Sequence, residues 1–400
     1  MSTTDIPLDI GAAEDRLMRY LSIEGITGQE GQIAAAIVAD LIAIGVPDTA
    51  IRFDDANKRI PLPTQTGNLI VHLPGTMSGP RLMFSTHLDT VPLCAGAKPM
   101  REGERIVSDG TTALGGDNRT GCAVLVTLAE TLAKHRLPHP PITLLFTVRE
   151  ESGLHGAREV RPADLGDPVM CFNVDSGVPS DLILGAVGQE NWHVEIDGKA
   201  AHAGVAPEKG ISATLVASVA IADAYRGGWF GKVVKDEGRG TSNVGIFGGR
   251  TGRAAGDATN VVTDYVSIRG EARSHDAAFA ATIARAYRSA FDRAQAEVKD
   301  ADGNVAQLTF IHAPTYPPFR LAEDSPAAQR AARAVTGLGL SPNFKLSNGG
   351  LDANWLNRHG IPTVTFGAGQ REIHTVSEYV ELADFLQGCR LAVALATIAE

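Results

Sequence analysis

Four short apolar runs, each followed by histidine or carboxylate side chains, constrain the fold of this chain more than any other feature. The runs are residues 82–84, 142–148, 169–174 and 362–366. Near-continuous apolar strands between helical segments are typical of an α/β sheet that helices cover on both faces. Functional sites in such sheets collect beyond the carboxyl ends of the strands. The polar side chains at or after these ends are His87, Asp89, Glu150, Glu151, Asp175 and His374. We therefore predict an α/β fold, with a mixed sheet covered by helices and a site at one sheet edge.

A buried helix is predicted to follow residues 115–120. Residues 121–129 are nearly all apolar, and a helix that is apolar on most sides is buried. Asp117 then lies just before the helix N-terminus, where unpaired backbone N–H groups stabilise a carboxylate. This position adds one more carboxylate to the candidate site.

The middle of the chain has a different pattern. A length of 400 residues exceeds what one hydrophobic core normally serves, so two domains are expected. From about residue 188 to 313 the predicted order is β-α-β-β-α-β, which is that of a ferredoxin-like unit. We predict an inserted ferredoxin-like α+β lid domain at 188–313 and a first domain made of 1–187 and 314–400. Residues 313–318 are the predicted return linker.

Charge and composition argue against several classes of partner. Lys and Arg total 36 against 46 for Asp and Glu, and no basic tract is present, so a nucleic-acid partner is not expected. No stretch is apolar for long enough to span a bilayer, and the N-terminus lacks the pattern of a secretory signal. The four cysteines are widely scattered, which suits reduced thiols. We expect a cytoplasmic protein without a membrane partner.

The candidate side chains offer imidazole nitrogens and carboxylate oxygens but no thiolate. This set suits Zn²⁺, Mn²⁺ or Co²⁺ in a hydrolytic centre, whereas calcium and magnesium sites seldom include imidazole. Two metal ions need roughly six protein donors and a water, and a further carboxylate must accept the proton of that water. Glu150 and Glu151 divide these two roles naturally. Taken singly, each histidine could be structural and the Glu pair could be solvated, but their combination favours a metal site.

Five motifs in this order resemble those of a known enzyme family. They are His87-x-Asp89, Gly116-Asp117-Asn118, Glu150-Glu151, Asp175-Ser176-Gly177 and the late His374. The pattern resembles the di-zinc exopeptidases and deacylases that include peptidase T, carboxypeptidase G and the succinyl-diaminopimelate and acetylornithine deacylases. Residues 115–121 are most similar to the peptidase T type, which usually carries an Asp where this chain has Asn118.

The resemblance implies a role for each motif. The two implied sets of metal ligands are His87, Asp117 and Asp175, and Asp117, Glu151 and His374. Glu150 is then the general base and acid of the reaction. Asp89 is the residue that orients His87, as metal-bound imidazoles generally require.

The resemblance also implies contacts with the substrate. His202 resembles the histidine that stabilises the developing oxyanion, sometimes from a partner subunit. Arg273 resembles the arginine that pairs with a substrate carboxylate. Implied contacts of lower rank are Asn243, Asn260, Gly349 and Gly350.

These features together predict a two-domain di-zinc aminopeptidase that hydrolyses short peptides, with tripeptides as the expected substrates. Metal-activated water would attack the peptide bond with Glu150 as general base. Zinc is the expected metal, and cobalt and manganese are the alternatives. The alternative functions are a carboxypeptidase or an N-acyl-amino-acid deacylase with the same metal centre, and a non-catalytic binding protein on this scaffold. A homodimer formed through the inserted domain is compatible with the resemblance.

Overall fold

The chain forms two compact units. The structure is a computed structural model that describes residues 6–250, 254–256 and 258–398. The first unit consists of Met1–Ala186 and Phe319–Glu400, and the inserted unit is Val187–Pro318. The chain therefore leaves the first unit once and returns to it.

The helices and strands of both units are as follows. The helices are α1 (Ile10–Leu21), α2 (Gly31–Ile44), α3 (Ala56–Arg59), α4 (Gly116–His135), α5 (His155–Arg158), α6 (Ala213–Arg226), α7 (Ala277–Glu297), α8 (Pro326–Gly337), α9 (Asp352–Arg358) and α10 (Leu382–Thr397). The strands are β1 (Ile51–Phe53), β2 (Leu69–Leu73), β3 (Leu82–His87), β4 (Met100–Glu102), β5 (Arg105–Val107), β6 (Ile142–Thr147), β7 (Met170–Val174), β8 (Asp181–Ala186), β9 (Gly188–Asp197), β10 (Gly231–Lys235), β11 (Gly238–Gly248), β12 (Tyr265–Ser274), β13 (Gln307–Tyr316), β14 (Phe319–Arg320), β15 (Asn343–Ser347), β16 (Thr363–Phe366), β17 (Gln370–Arg371) and β18 (Tyr379–Glu381). Across the residues that the structure describes, no helix combines the length and apolarity needed to cross a membrane.

The first unit is built on a mixed sheet. Its strand order is β1-β2-β6-β3-β7-β16-β8-β14, and β15 pairs with β8. The four neighbours β6, β3, β7 and β16 run parallel to one another. Their carboxyl ends therefore meet at one edge of the sheet. The predicted site residues lie at or just after these strand ends. A smaller antiparallel sheet of β17, β18, β5 and β4 belongs to the same unit.

Helices cover both faces of the mixed sheet, because the strand side chains alternate between two apolar clusters. Phe84 and Phe172 lie in the large core that includes residues of α1, α2, α4 and α10. Met83 and Cys171 lie in a second cluster, on the side of α9. Side chains on both faces of such a strand are buried, which explains the near-continuous apolar runs. The predicted α/β fold class is confirmed.

The inserted unit is an antiparallel sheet with two helices packed against it. The strand order is β10-β11-β12-β9-β13, and α6 and α7 contact this sheet and each other. Leaving out β10, the chain order and the sheet order are those of a ferredoxin-like unit. β10 adds an edge strand as a hairpin with β11. The core of the unit contains Trp192, whose ring stacks on Tyr287 with centroids 4.6 Å apart.

The end of the inserted unit differs from the predicted boundary. The predicted return linker at 313–318 is mostly strand, because β13 continues to Tyr316, which pairs with Gln189. The compact unit ends at Pro318 rather than at residue 313. β13 is the edge strand of its sheet, where proline is tolerated because one side of the strand needs no partner. The prolines suggested a linker, and they mark an edge strand instead.

Gly121 sets how closely α4 approaches the sheet. A Cβ atom at this position would lie 2.0 Å from Thr86 Oγ1 and 2.7 Å from the Val174 carbonyl oxygen. Both atoms belong to strands of the central sheet, so neither can move freely. We expect Gly121→Ala to lower the free energy of unfolding by about 2 kcal/mol or more, as overpacking does. Thermal denaturation measures the effect.

Gly11 provides the matched control, because it lies at an exposed position of α1 and a Cβ there would meet only Asp9 Oδ1, at 3.9 Å. Gly11→Ala should leave stability unchanged or raise it by up to about 1 kcal/mol, because alanine is the better helix former. Equal melting temperatures for the two variants would contradict the close approach of α4.

Candidate metal centre

The parallel strands bring the predicted ligands to one edge of the sheet. His87 is the last residue of β3, and Asp175 directly follows β7. Glu151 lies in the turn after β6. His374 is held in the loop between β17 and β18 with a left-handed backbone, at φ 64°. Asp117 is in the first turn of α4, whose apolar body is buried as predicted.

Asp117 is the centre of this group, because its two carboxylate oxygens face different histidines. Its Oδ1 lies 3.1 Å from His87 Nε2, and its Oδ2 lies 3.4 Å from His374 Nε2. Asp175 Oδ1 lies 3.6 Å from His87 Nε2. Glu151 Oε1 lies 2.9 Å from His374 Nε2. The donors thus divide into two sets that share Asp117.

The spacing and chemistry of these donors fit metal ions. One ligand atom each from His87, Asp117 and Glu151 lie within 4.8 Å of one another. Two donors at about 2.1 Å from a tetrahedral zinc ion are separated by about 3.4 Å. The distances of 2.9 to 3.6 Å between neighbouring donors bracket that value. The donor set therefore suits the two-ion site that the sequence predicts.

The electrostatics of the cluster favour positive charge. Hydrogen bonds to Asp117 and Glu151 raise the pKa of His374 to about 10. Burial lowers the pKa of His87, but hydrogen bonds to Asp117, Asp175 and Asp89 outweigh it and hold the pKa well above its ordinary value. Burial raises the pKa of Asp117, but hydrogen bonds from the two imidazoles outweigh this effect and hold the pKa below its ordinary range. A group of carboxylates that stabilises imidazolium in this way would also stabilise a bound cation.

The two adjacent glutamates have different surroundings. Glu151 faces His374, whereas in the described part of the chain nothing donates a hydrogen bond to the Glu150 carboxylate. Burial raises the pKa of Glu150 well above its ordinary value, and the nearby carboxylates of Asp175 and Glu151 raise it further. Glu150 therefore stands beside the ligand cluster as a carboxylate without a structural partner.

Asp89 joins the ends of two strands. Its Oδ1 accepts the backbone N–H of Glu150 at 3.0 Å, and its Oδ2 accepts that of Glu151 at 3.2 Å. His87 Nδ1 lies 3.0 Å from the Asp89 backbone carbonyl and 3.4 Å from Oδ1. Since a carbonyl only accepts, Nδ1 carries the proton and Nε2 is the nitrogen that faces the ligand cluster. Asp89 thus contacts both His87 and the turn that carries Glu150 and Glu151, called the glutamate turn below. The second contact was not anticipated from the sequence.

Sequence reasoning missed one neighbour of Asp117, Glu378, and did not foresee the contacts of another, Asn118. Glu378 accepts the backbone N–H groups of Gly115 at 2.9 Å and Asp117 at 3.0 Å. Asn118 donates to Asp175 Oδ1 at 3.1 Å, and its own Oδ1 accepts the N–H of Gly121 at 2.9 Å. Asp117 and Asn118 have non-helical backbone angles within the range of α4, so Asn118, rather than Asp117, caps the regular part of this helix. An Asp at position 118 could not donate to Asp175, so the amide gives this chain a hydrogen bond that the usual residue would lack.

A further buried acid, Asp352, lies at the start of α9 and was also missed. The Thr147 hydroxyl donates to its Oδ2, while its Oδ1 is buried and has no hydrogen-bond partner. Burial raises its pKa to about 7. The only signal in the sequence is its place two residues after Gly350.

The predicted substrate contacts fall on both units. His202 is exposed, and the N–H of the adjacent Ala203 donates to the Asn260 carbonyl at 2.9 Å, so His202 and Asn260 are neighbours in the inserted unit. Asn243 pairs with Glu271 across β11 and β12. Gly349 and Gly350 lie in the first unit, just before α9.

Arg273 is already paired with a carboxylate of its own strand. Its Nε and Nη2 donate to the two oxygens of Glu271, each at 2.9 Å. Gln189 donates to the same carboxylate. Unless Glu271 is displaced, a substrate carboxylate could therefore bind this guanidinium only through the remaining donors, which are Nη1 and the second N–H of Nη2.

Comparison with known proteins assigns the family. The model of peptidase family M20/M25/M40 matches residues 83–397, which include all of the proposed metal ligands. The chain belongs to peptidase family M20/M25/M40. It is 34% identical to the uncharacterized protein YqjE of Bacillus subtilis, over 82% of this chain and 84% of that protein.

Two solved structures of M20 peptidase relatives resemble the whole chain. A tripeptidase from Staphylococcus aureus is 30% identical, with a TM-score of 0.85 over 98% of each chain. The aminopeptidase PepT from Bacillus cereus is 31% identical, with a TM-score of 0.82 over 98% of each chain. The resemblance to the peptidase T type that the motifs indicated is confirmed.

Removing Asp89 should destabilise the glutamate turn of this M20 peptidase. Asp89→Ala leaves the N–H groups of Glu150 and Glu151 buried without acceptors, which should cost about 2 to 4 kcal/mol of stability. Asp89→Asn keeps one acceptor oxygen and should cost less. Thermal denaturation of both variants measures the order, with Asp109→Ala on an exposed loop as control. The role of Asp89 as a double acceptor is wrong if the alanine variant melts like the control.

Proposed function

We propose that this M20 peptidase is a metal-dependent aminopeptidase that acts on short peptides, with tripeptides as its expected substrates. The observation that supports a hydrolytic centre is the unequal environment of two adjacent carboxylates. Glu151 belongs to the ligand cluster with His87 and Asp117, whereas the Glu150 carboxylate is buried beside the cluster and accepts no hydrogen bond from the described residues. This arrangement suits hydrolysis at a metal centre, since one carboxylate can bind a metal ion while the other carries the proton.

The proposed metal ligands are the two sets that share Asp117. They are His87, Asp117 and Asp175 for one ion, and Asp117, Glu151 and His374 for the other. Zinc is the proposed metal, with cobalt and manganese as alternatives that the same donors accept. When bound, the two ions supply Lewis-acid activation of a water molecule and of the scissile carbonyl.

The protein's own residues supply proton transfer and positioning. A carboxylate oxygen of Glu150 accepts the proton of the attacking water and later delivers it to the nitrogen of the departing amine. Asp89 Oδ1 holds the backbone of Glu150 through the N–H bond of 3.0 Å, and the same oxygen lies 3.4 Å from His87 Nδ1. The base and the first ligand are thus oriented by one carboxylate.

The substrate class rests on relatives and motifs. The similar solved structures are those of an aminopeptidase PepT and a tripeptidase, and residues 115–121 are of the peptidase T type. His202 is the proposed oxyanion contact and Arg273 the proposed contact to the substrate carboxylate. Asn243, Asn260, Gly349 and Gly350 remain predicted contacts. The predicted homodimer, the cytoplasmic location and the absence of a nucleic-acid or membrane partner remain predictions.

Substitution of each glutamate in turn tests the division of roles. Glu150→Gln should lower kcat for trialanine at least about 100-fold, because an amide cannot accept the proton. Its metal content by elemental analysis should stay at the wild-type value. Glu151→Gln should instead lose metal, because a ligand is replaced. Full activity of Glu150→Gln, or loss of metal from it, would contradict the assignment.

The choice of peptide end tests the aminopeptidase assignment. Digestion of trialanine, N-acetyl-trialanine and trialanine amide, followed by mass spectrometry, separates the three possible reactions. An aminopeptidase releases the first residue of trialanine and leaves the acetylated peptide intact. The amidated peptide should be cleaved with a lower kcat/KM if Arg273 binds the free carboxylate. Because trialanine gives the same products from either end, the acetylated peptide identifies a carboxypeptidase, which would convert it to N-acetyl-dialanine and alanine. Release of acetate would indicate a deacylase.

A further inference from the structure

The turn that carries Glu150 is held by side chains from distant parts of the chain. Four consecutive backbone N–H groups, those of residues 148 to 151, donate to buried side-chain oxygens rather than to other backbone groups. The acceptors are Asn68 Oδ1 for Val148 at 3.1 Å, Glu30 Oε1 for Arg149 at 3.1 Å, and the two oxygens of Asp89 for Glu150 at 3.0 Å and Glu151 at 3.2 Å. The position of this turn therefore depends on these three side chains.

Arg149 is the member of the turn with the least favourable backbone. Its φ is +53°, in the left-handed region that residues with a Cβ rarely adopt. Its side chain donates to Thr64 Oγ1 at 2.7 Å and to the Pro63 carbonyl. Such a conformation persists only where surrounding contacts determine it, and the bond from its N–H to Glu30 is one of those contacts.

Glu30 is brought to the turn by the segment before α2. The N–H of Thr27 donates to the Thr90 carbonyl at 2.9 Å, which places this segment along the loop that follows His87. The Glu30 side chain is fully buried. Its Oε1 accepts both the Arg149 N–H and the Gly28 N–H, the latter at 2.7 Å. Glu30 lies outside residues 83–397, the part that matches the family model.

We infer that Glu30 is a positioning residue for catalysis: by accepting the Arg149 N–H it fixes the turn from which the Glu150 carboxylate projects. The inference rests on the proposed role of Glu150. Without Glu30, Arg149 loses a constraint on its left-handed backbone, and the next residue along the chain is Glu150. A displacement of about 1 Å at a proton-transferring group is enough to cost a large factor in rate.

Stability alone does not account for a carboxylate at this position. Glu30 Oε2 is buried and has no hydrogen-bond partner, and an unpaired buried acceptor is unfavourable. Proteins retain such unfavourable groups mainly at functional sites. Oε1, in contrast, accepts two hydrogen bonds, from the N–H groups of Gly28 and Arg149, and an amide oxygen could accept the same two bonds. Glu30→Gln is therefore the conservative variant, and Glu30→Ala removes the acceptor.

Hydrogen–deuterium exchange tests the placement of the turn without reference to activity. Peptides that span residues 146–154 are followed by mass spectrometry in wild type, Glu30→Gln, Glu30→Ala and a control, Asp9→Ala. Asp9 caps α1 through the Ala12 N–H and pairs with Lys134, so its loss perturbs another helix start of the same unit. We expect exchange in these peptides to be about tenfold faster in Glu30→Ala alone, as local opening becomes easier. Unchanged exchange in Glu30→Ala overturns the inference.

Kinetics on trialanine test the consequence for catalysis. With metal content equal to wild type, Glu30→Ala should lower kcat about tenfold or more and leave KM within about twofold, as a misplaced base does. Glu30→Gln should keep at least about one third of kcat, and Asp9→Ala should keep all of it. A purely structural role predicts equal kcat per folded molecule in Glu30→Ala and Asp9→Ala, and that result overturns the inference.

The Glu150→Gln variant separates this inference from the proposed function. If Glu150→Gln is inactive while Glu30→Ala is fully active, the function stands and the inference falls. If wild type and Glu150→Gln hydrolyse trialanine equally, or neither does, the proposed function falls. The exchange experiment then still decides whether Glu30 holds the turn.

Discussion

The shared carboxylate of Asp117 is the interaction on which the site depends. One of its oxygens faces His87 and the other faces His374, at 3.1 and 3.4 Å. A single side chain can serve two donor sets only if the elements that carry both histidines are fixed relative to it. Glu378 provides part of that fixation by accepting the N–H groups of Gly115 and Asp117. The first turn of α4 is therefore positioned by a hydrogen-bond acceptor that lies far away in the sequence.

The same principle applies to the glutamate turn. Its backbone donors have no partners in a helix or a sheet, so buried side chains must accept them. Asp89 serves Glu150 and Glu151 and also faces His87. The carboxylates around this M20 peptidase site thus have two different tasks: some face the histidines as proposed ligands, and others hold the backbone that places them.

Local sequence patterns predicted more of the fold than of the details of the site. Near-continuous apolar runs indicated strands buried on both faces, and β3, β6, β7 and β16 form at those runs. The end of the inserted unit was misplaced because Pro314 and Pro317 are typical of linkers, and only strand pairing shows that β13 is an edge strand. Arg273 was predicted to contact a substrate carboxylate, and only the structure shows that its guanidinium pairs with Glu271, two residues away on β12.

The amino-acid sequence was enough to predict the fold class, the family resemblance and the residue types that gather at the sheet edge, because strand ends and short motifs are local features. The folded chain was needed to see which carboxylate oxygen faces which histidine, and which acids accept backbone hydrogen bonds instead. The partners are separated by 119 positions for Arg149 and Glu30, and by 263 for Gly115 and Glu378. No spacing in the sequence encodes such pairs, because their proximity arises only when the central sheet and its helices have assembled.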